Sequence, residues 1–241
     1  MKTRRYLTKS RFKVGHDCPT KLFFLDNKEF GNKNIDNSFL EALAEGGFQV
    51  GELAKQYFPG GVDIKTLDKE EAVRLTSELL MNDSAVIYEA AFEHKNLFIR
   101  ADIIVKKGSR IDVIEVKAKS YDPTEENQFY NKNSLKKGPK KLSSTWEPYL
   151  IDVAFQCHVV KLAMPDATVS GALMLADKSA ISTVDGLNQK FFLEKGSDGR
   201  ASVKVQSDLR REDLGDALLV RVPVDVEIAL INGSNFDCAG Q

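Results

Sequence analysis

Asp102, Glu115 and Lys117 stand inside segments otherwise rich in Val and Ile, where a charged side chain needs a partner. Leu97–Lys106 and Arg110–Ala118 read as strands, and Gly108-Ser109 between them suits a two-residue type II′ hairpin turn. With Lys107 paired to Arg110, Asp102 falls opposite Glu115, and directly opposed Cβ atoms lie about 4.5–5.5 Å apart. Two carboxylates held that close repel unless a cation sits between them. Side chains alternate along a strand, so Lys117 shares the Glu115 face, together with apolar Ile104, Ile111 and Val113. This chemistry suits a hard divalent cation. Two carboxylates and the Val116 carbonyl can hold Mg²⁺ or Mn²⁺ through oxygen, with coordination positions left for waters and a phosphate oxygen. Such an ion lowers the pKa of bound water and offsets charge on the phosphate. Lys117 would orient that water or stabilise a pentacoordinate transition state.

A third carboxylate lies one strand earlier. If residues 93–96 form the loop before Leu97, Phe92 pairs with Leu97 and Glu89 falls opposite Arg100. Glu89 then shares the Asp102 face, one step along. Spacing alone leaves a plainer possibility open: Arg100, Asp102, Glu115 and Lys117 balance to zero and could form a cross-strand ladder of ion pairs.

The surrounding chain divides by periodicity. Residues 1–82 read as helical. Pro19 opens a short helix with Leu22, Phe23 and Phe24. Asn37 or Ser38 caps a helix from Phe39 to Tyr57, in which Gly46, Gly47 and Gly51 suggest a break or a close backbone approach. Asp68, with Glu71 three residues on, caps a helix from Lys69 to Met81. A sheet core follows over 83–178, with strands at Ala85–Phe92, Leu97–Lys106, Arg110–Ala118 and Ala167–Leu175 and a helix from Tyr149 to Met164. Residues 121–147 read as a long polar loop. A C-terminal extension, 179–241, holds further short strands. The expected architecture is one α/β domain over 1–241, a mixed sheet covered by helices behind a helical N-terminal segment.

Composition narrows the class. The 241 residues carry 34 Lys and Arg against 35 Asp and Glu and are 42% hydrophobic, which excludes intrinsic disorder. No apolar run nears the roughly 18 residues of a membrane span, and no signal-peptide core is read at the start, so a cytosolic protein without a membrane partner is expected. The 3 cysteines are widely spaced and odd in number, against a disulfide framework. Two local stretches are basic. One covers residues 2–13, and the other holds Lys132, Lys136, Lys137, Lys140 and Lys141. Each is either solvated surface or a track for a phosphate backbone. Trp146 and Tyr149 beside the second stretch either stack on unpaired bases or anchor the loop to the core.

Asp102, then Glu115-Val116-Lys117 on the next strand, then Gln156 on a following helix, resembles the PD-(D/E)XK nuclease superfamily, in particular its RecB-like exonuclease branch with CRISPR-associated relatives. Leu7-Thr8-Lys9-Ser10-Arg11-Phe12 before Cys18-Pro19, the glycine-rich 47–52, and Asp152-Val153-Ala154-Phe155-Gln156 fit the same branch. The resemblance covers roughly residues 7–175. It implies a restriction-endonuclease-like α/β/α core and divalent-metal-dependent hydrolysis of DNA, single-stranded or at duplex ends. It makes Asp102, Glu115 and Lys117 the catalytic trio, with Gln156 positioning Lys117 or the strand. Many members carry a histidine ligand where this chain has Gly51, so Glu52 or Glu89 is expected to supply any extra carboxylate. Iron–sulfur members pair an early cysteine like Cys18 with three late ones; only Cys238 lies near the end here, so no cluster is expected. The rival expectation is a nuclease-like module that binds nucleic acid or a protein without cutting.

Overall fold

The computed structural model describes residues 5–25, 27, 29–30, 38–136, 140–195 and 201–237. In chain order the strands are β1 (Leu7–Thr8), β2 (Val62–Asp63), β3 (Ser84–His94), β4 (Leu97–Lys107), β5 (Arg110–Tyr121), β6 (Thr168–Asp177), β7 (Phe191–Lys195), β8 (Ala201–Val205) and β9 (Leu219–Pro223). The helices are α1 (Lys9–Asp17), α2 (Lys21–Phe24), α3 (Ser38–Gln56), α4 (Lys69–Leu79), α5 (Lys132–Lys136), α6 (Glu147–Ala163) and α7 (Asp225–Asp237). Local chemistry sets several boundaries. Asp68 caps α4 by accepting from the Glu71 amide at 2.8 Å, and Pro148 occupies the first turn of α6, where no intrahelical donor is needed.

A mixed central sheet runs β2-β3-β4-β5-β6-β9, with β1 added beside β4, and helices flank it. β3, β4 and β5 form the antiparallel meander, while β5 and β6 are parallel and joined through α6. One face packs Ile104, Ile111, Val113 and Leu173 against Leu150 and Val153 of α6, with Ala72 of α4 and Ile231 of α7. The other packs Ile103, Ile114 and Met174 against Leu53 and Ala54 of α3 and against Phe191 of the small β7–β8 sheet.

Four expectations change. The loop before β4 is Lys95-Asn96, because His94 pairs with Leu97; Lys95 adopts the left-handed conformation that a tight turn requires. The register therefore moves by two residues, which preserves the face of each side chain but sets Glu89 opposite Asp102 instead of Arg100. α3 runs unbroken through its glycines. The C-terminal residues do more than extend the core: β9 is an outer strand of the central sheet and α7 packs on α6. Within 121–147, α5, a bridge between Tyr130 and Leu142, and rings of Tyr121, Phe129 and Trp146 order the stretch and tie it into the main core.

Candidate functional site

The site forms where β4 and β5 part. Their ladder runs from Lys107–Arg110 to Ile103–Ile114, the expected register, and then stops. Beyond the fork β1 takes the place beside β4, pairing Leu7 with Leu97 and Thr8 with Phe98. Asp102 stands at the fork and uses Oδ2 to accept the Val116 amide at 2.7 Å. On the other side of β4, Glu89 faces Asp102 but drops out of the ladder, because it sits at φ +54. A left-handed, non-glycine residue inside a strand costs about 1–3 kcal/mol and persists only where its surroundings impose it.

Glu115 is fully buried on the α6 face and its surroundings saturate it. Oε1 accepts Lys9 at 2.8 Å and Lys117 at 2.5 Å; Oε2 accepts Lys9 at 3.0 Å and Gln156 at 2.6 Å. Gln156 and Asp152, one turn apart on α6, are themselves buried. Asp152 Oδ2 pairs with Lys13 at 3.2 Å and lies 3.7 Å from Lys117, while Asp152 Oδ1 and Gln156 Oε1 are buried without a hydrogen-bond partner. α1 is fixed by its Thr8 cap and by Phe12, which stacks on Phe155 with centroids 4.4 Å apart, so Lys9 and Lys13 both reach α6. The β5–β6 ladder then slips between Lys117 and Ser120, a bulge directly after the site lysine.

The two central carboxylates are electrostatically opposite. Desolvation and then the Glu115 charge push Asp102 up to about 7. Burial also works to raise Glu115, but Lys9 and Lys117 outweigh it and hold that carboxyl well below the usual range. Burial works to lower both lysines and Glu115 reverses it, so both are raised. Burial raises Asp152, with Glu115 second, and burial raises Glu89.

Asp102, Glu115, Val116 and Lys117 line the floor of a cleft of about 1260 Å³, between the sheet and a wall made by α3 and β8. Gly47, Phe48, Gly51, Glu52 and Lys55 of α3 also line it. A Cβ placed on Gly47 or Gly51 would meet nothing within 4 Å, so the glycines keep this wall open without supporting a contact inside the chain. Glu52 and Glu89 both line the cleft, but Glu52 is engaged by Lys55 at 2.6 Å, and Lys55 also reaches Asp63 at 3.0 Å.

The loop lysines lie elsewhere. Lys132 pairs with Glu125 at 3.0 Å, Lys140 stands over the Tyr130 ring, and neither these nor Lys141 line the cleft. Lys137 and the side chain of Lys136 fall outside the described residues, as does Cys238. Trp146 is buried and anchors its loop, with Lys119 over its ring at 4.6 Å. Sequence reasoning placed Lys9 and Lys13 in a basic terminal stretch, where no spacing links them to residues more than a hundred positions away.

Among the described residues no group of three or more His, Cys, Asp or Glu side chains stands at metal-binding spacing. The available donors are Asp102, whose Oδ1 has no hydrogen-bond partner among the described residues, Glu115 and the Val116 carbonyl. That all-oxygen set suits Mg²⁺ or Mn²⁺, which bind through one or two carboxylates and keep several waters. No helix among the described residues is long and apolar enough to cross a membrane. Compared with models of known families, with curated proteins and with solved structures, the chain matches none.

Proposed function

We propose that the chain is a divalent-metal-dependent DNA nuclease with a restriction-endonuclease-like core, acting most readily from a DNA end. One observation carries this reading: Asp102 and Glu115 converge at the strand fork on the floor of an open cleft, with Lys117 on Glu115. Mg²⁺ or Mn²⁺, held by Asp102, Glu115 and the Val116 carbonyl, would acidify the attacking water and offset phosphate charge. The remaining roles belong to the chain. Gln156 holds Glu115 through its amide, and the Val116 amide fixes Asp102. Lys117, on Glu115 Oε1 and in the cleft lining, would orient the water or stabilise developing negative charge.

The test uses end-labelled linear single- and double-stranded DNA with Mn²⁺, with EDTA and with Lys117→Ala. Metal-dependent degradation by the wild type should fall at least a hundredfold in the variant, which keeps its fold by circular dichroism; full activity in the variant sinks the assignment. Cleavage of closed circular DNA would instead indicate an endonuclease. A second reading has its own observation: every acceptor position of Glu115 is filled by Lys9, Lys117 and Gln156, as in a purely structural ion network. DNA bound yet intact after long incubation with Mn²⁺ would favour that non-cutting module.

A further inference from the structure

Lys9 is the least expected member of the site. A carboxylate offers about four lone-pair positions. On Glu115 all four are taken, two on each oxygen, by the Lys9 ammonium twice, by Lys117 and by Gln156. A divalent cation can reach Glu115 only if one donor leaves.

The three donors differ in how firmly they are built in. Gln156 is fully buried on α6, the most deeply packed helix of the described residues. Lys117 belongs to the same strand as Glu115, two residues along. Lys9 comes from α1, which contributes no fully buried residue and is joined to the sheet by the two-residue β1. Because Phe12 holds α1 on α6, it is the Lys9 side chain, not the helix, that would depart, and this leaves the buried core undisturbed.

We propose that the Lys9 ammonium occupies the seat of the divalent cation: it compensates Glu115 and Asp102 in the metal-free protein and leaves Glu115 when Mg²⁺ or Mn²⁺ binds. This builds on the reading of the cluster as a metal centre. It makes Lys9 a positioning residue that, with Lys117, compensates buried Glu115 and half-buried Asp102, and it sets a threshold for metal occupancy.

The experiment is Mn²⁺ titration by calorimetry of the wild type, Lys9→Met and Lys9→Arg, without DNA. Lys9→Met should bind Mn²⁺ at least tenfold more tightly than the wild type, and Lys9→Arg, which keeps the charge, no more tightly. Equal affinity in Lys9→Met and the wild type, or an equal gain in Lys9→Arg, overturns the proposal and leaves the metal centre standing. Absence of Mn²⁺ binding in all three proteins overturns both. A wild-type measurement covers the case in which Lys9→Met fails to fold. Amine-reactive labelling of Lys9, read by mass spectrometry, should speed several-fold at saturating Mn²⁺; an unchanged or slower rate overturns the proposal.

Discussion

Asp102 and Glu115 carry the same formal charge, yet their surroundings separate them: lysines stabilise ionised Glu115, while Asp102 is pushed up to about 7 by desolvation and by Glu115 itself. A raised carboxyl opposes folding once it ionises. The cost is absent well below the unfolded value of 3.8, where Asp102 is protonated in folded and unfolded chains alike; it grows as pH rises from there to about 7 and is complete above. Asp102→Asn, whose amide oxygen can still accept the Val116 amide, should therefore raise the melting temperature of the metal-free protein at pH 8. The gain is on the order of 2 kcal/mol and should shrink steadily below pH 7 toward nothing at the acid end. Equal melting curves at pH 8 would count against this charge conflict. Asp102, Glu115 and Lys117 were legible because a two-residue turn fixes register and a strand alternates its faces. Lys9 was not, since its meeting with Glu115 spans 106 positions and depends on β1 entering a fork that no local pattern announces. Asp152 and Gln156 entered only through the family resemblance, and their spacing alone was no more than a polar pair one turn apart; their burial comes from the sheet above them.

α3 shows the limit of propensity. Three glycines predicted a break, but the helix continues, because the Leu53 and Ala54 side packs on the sheet and outweighs about 1 kcal/mol for each glycine. The other prediction at the same residues, a close backbone approach, does not hold either: a Cβ on Gly46, Gly47 or Gly51 would meet nothing within 4 Å, and Gly47 and Gly51 line an open wall of the cleft. The two roles separate by substitution. Gly46→Ala, outside the cleft lining, should raise stability by about 1 kcal/mol in denaturant melts and leave DNA degradation unchanged. Gly51→Leu should fold as well as the wild type but degrade DNA at least tenfold more slowly, because its side chain projects into the cleft; normal rates would show that DNA takes another path. β3 illustrates a different limit. The tighter Lys95-Asn96 turn sets Glu89 opposite Asp102, and its left-handed backbone takes it out of the ladder, so alternation alone does not place its side chain.

The central sheet draws on distant parts of the chain: β1 and β2 come from the segment read as helical, and β9 from the segment read as an extension. Short strands of two to five residues carry little periodicity, which is why their places were not legible. Their contribution is testable. A chain ending at Asp177 loses β9, buried Leu214 and Val224, and the Tyr130–Glu227 hydrogen bond of 2.6 Å. It should be insoluble or melt without cooperativity by circular dichroism; a soluble protein with a sharp transition would show residues 178–241 to be dispensable. The reach of Lys9 also bears on biosynthesis. α1 is made before any strand of the meander, and at about 5–20 residues per second its partner Glu115 follows roughly 5–20 s later. α1 must wait, half-exposed, for a strand made 106 positions later, and that interval is when a holdase would have most to protect.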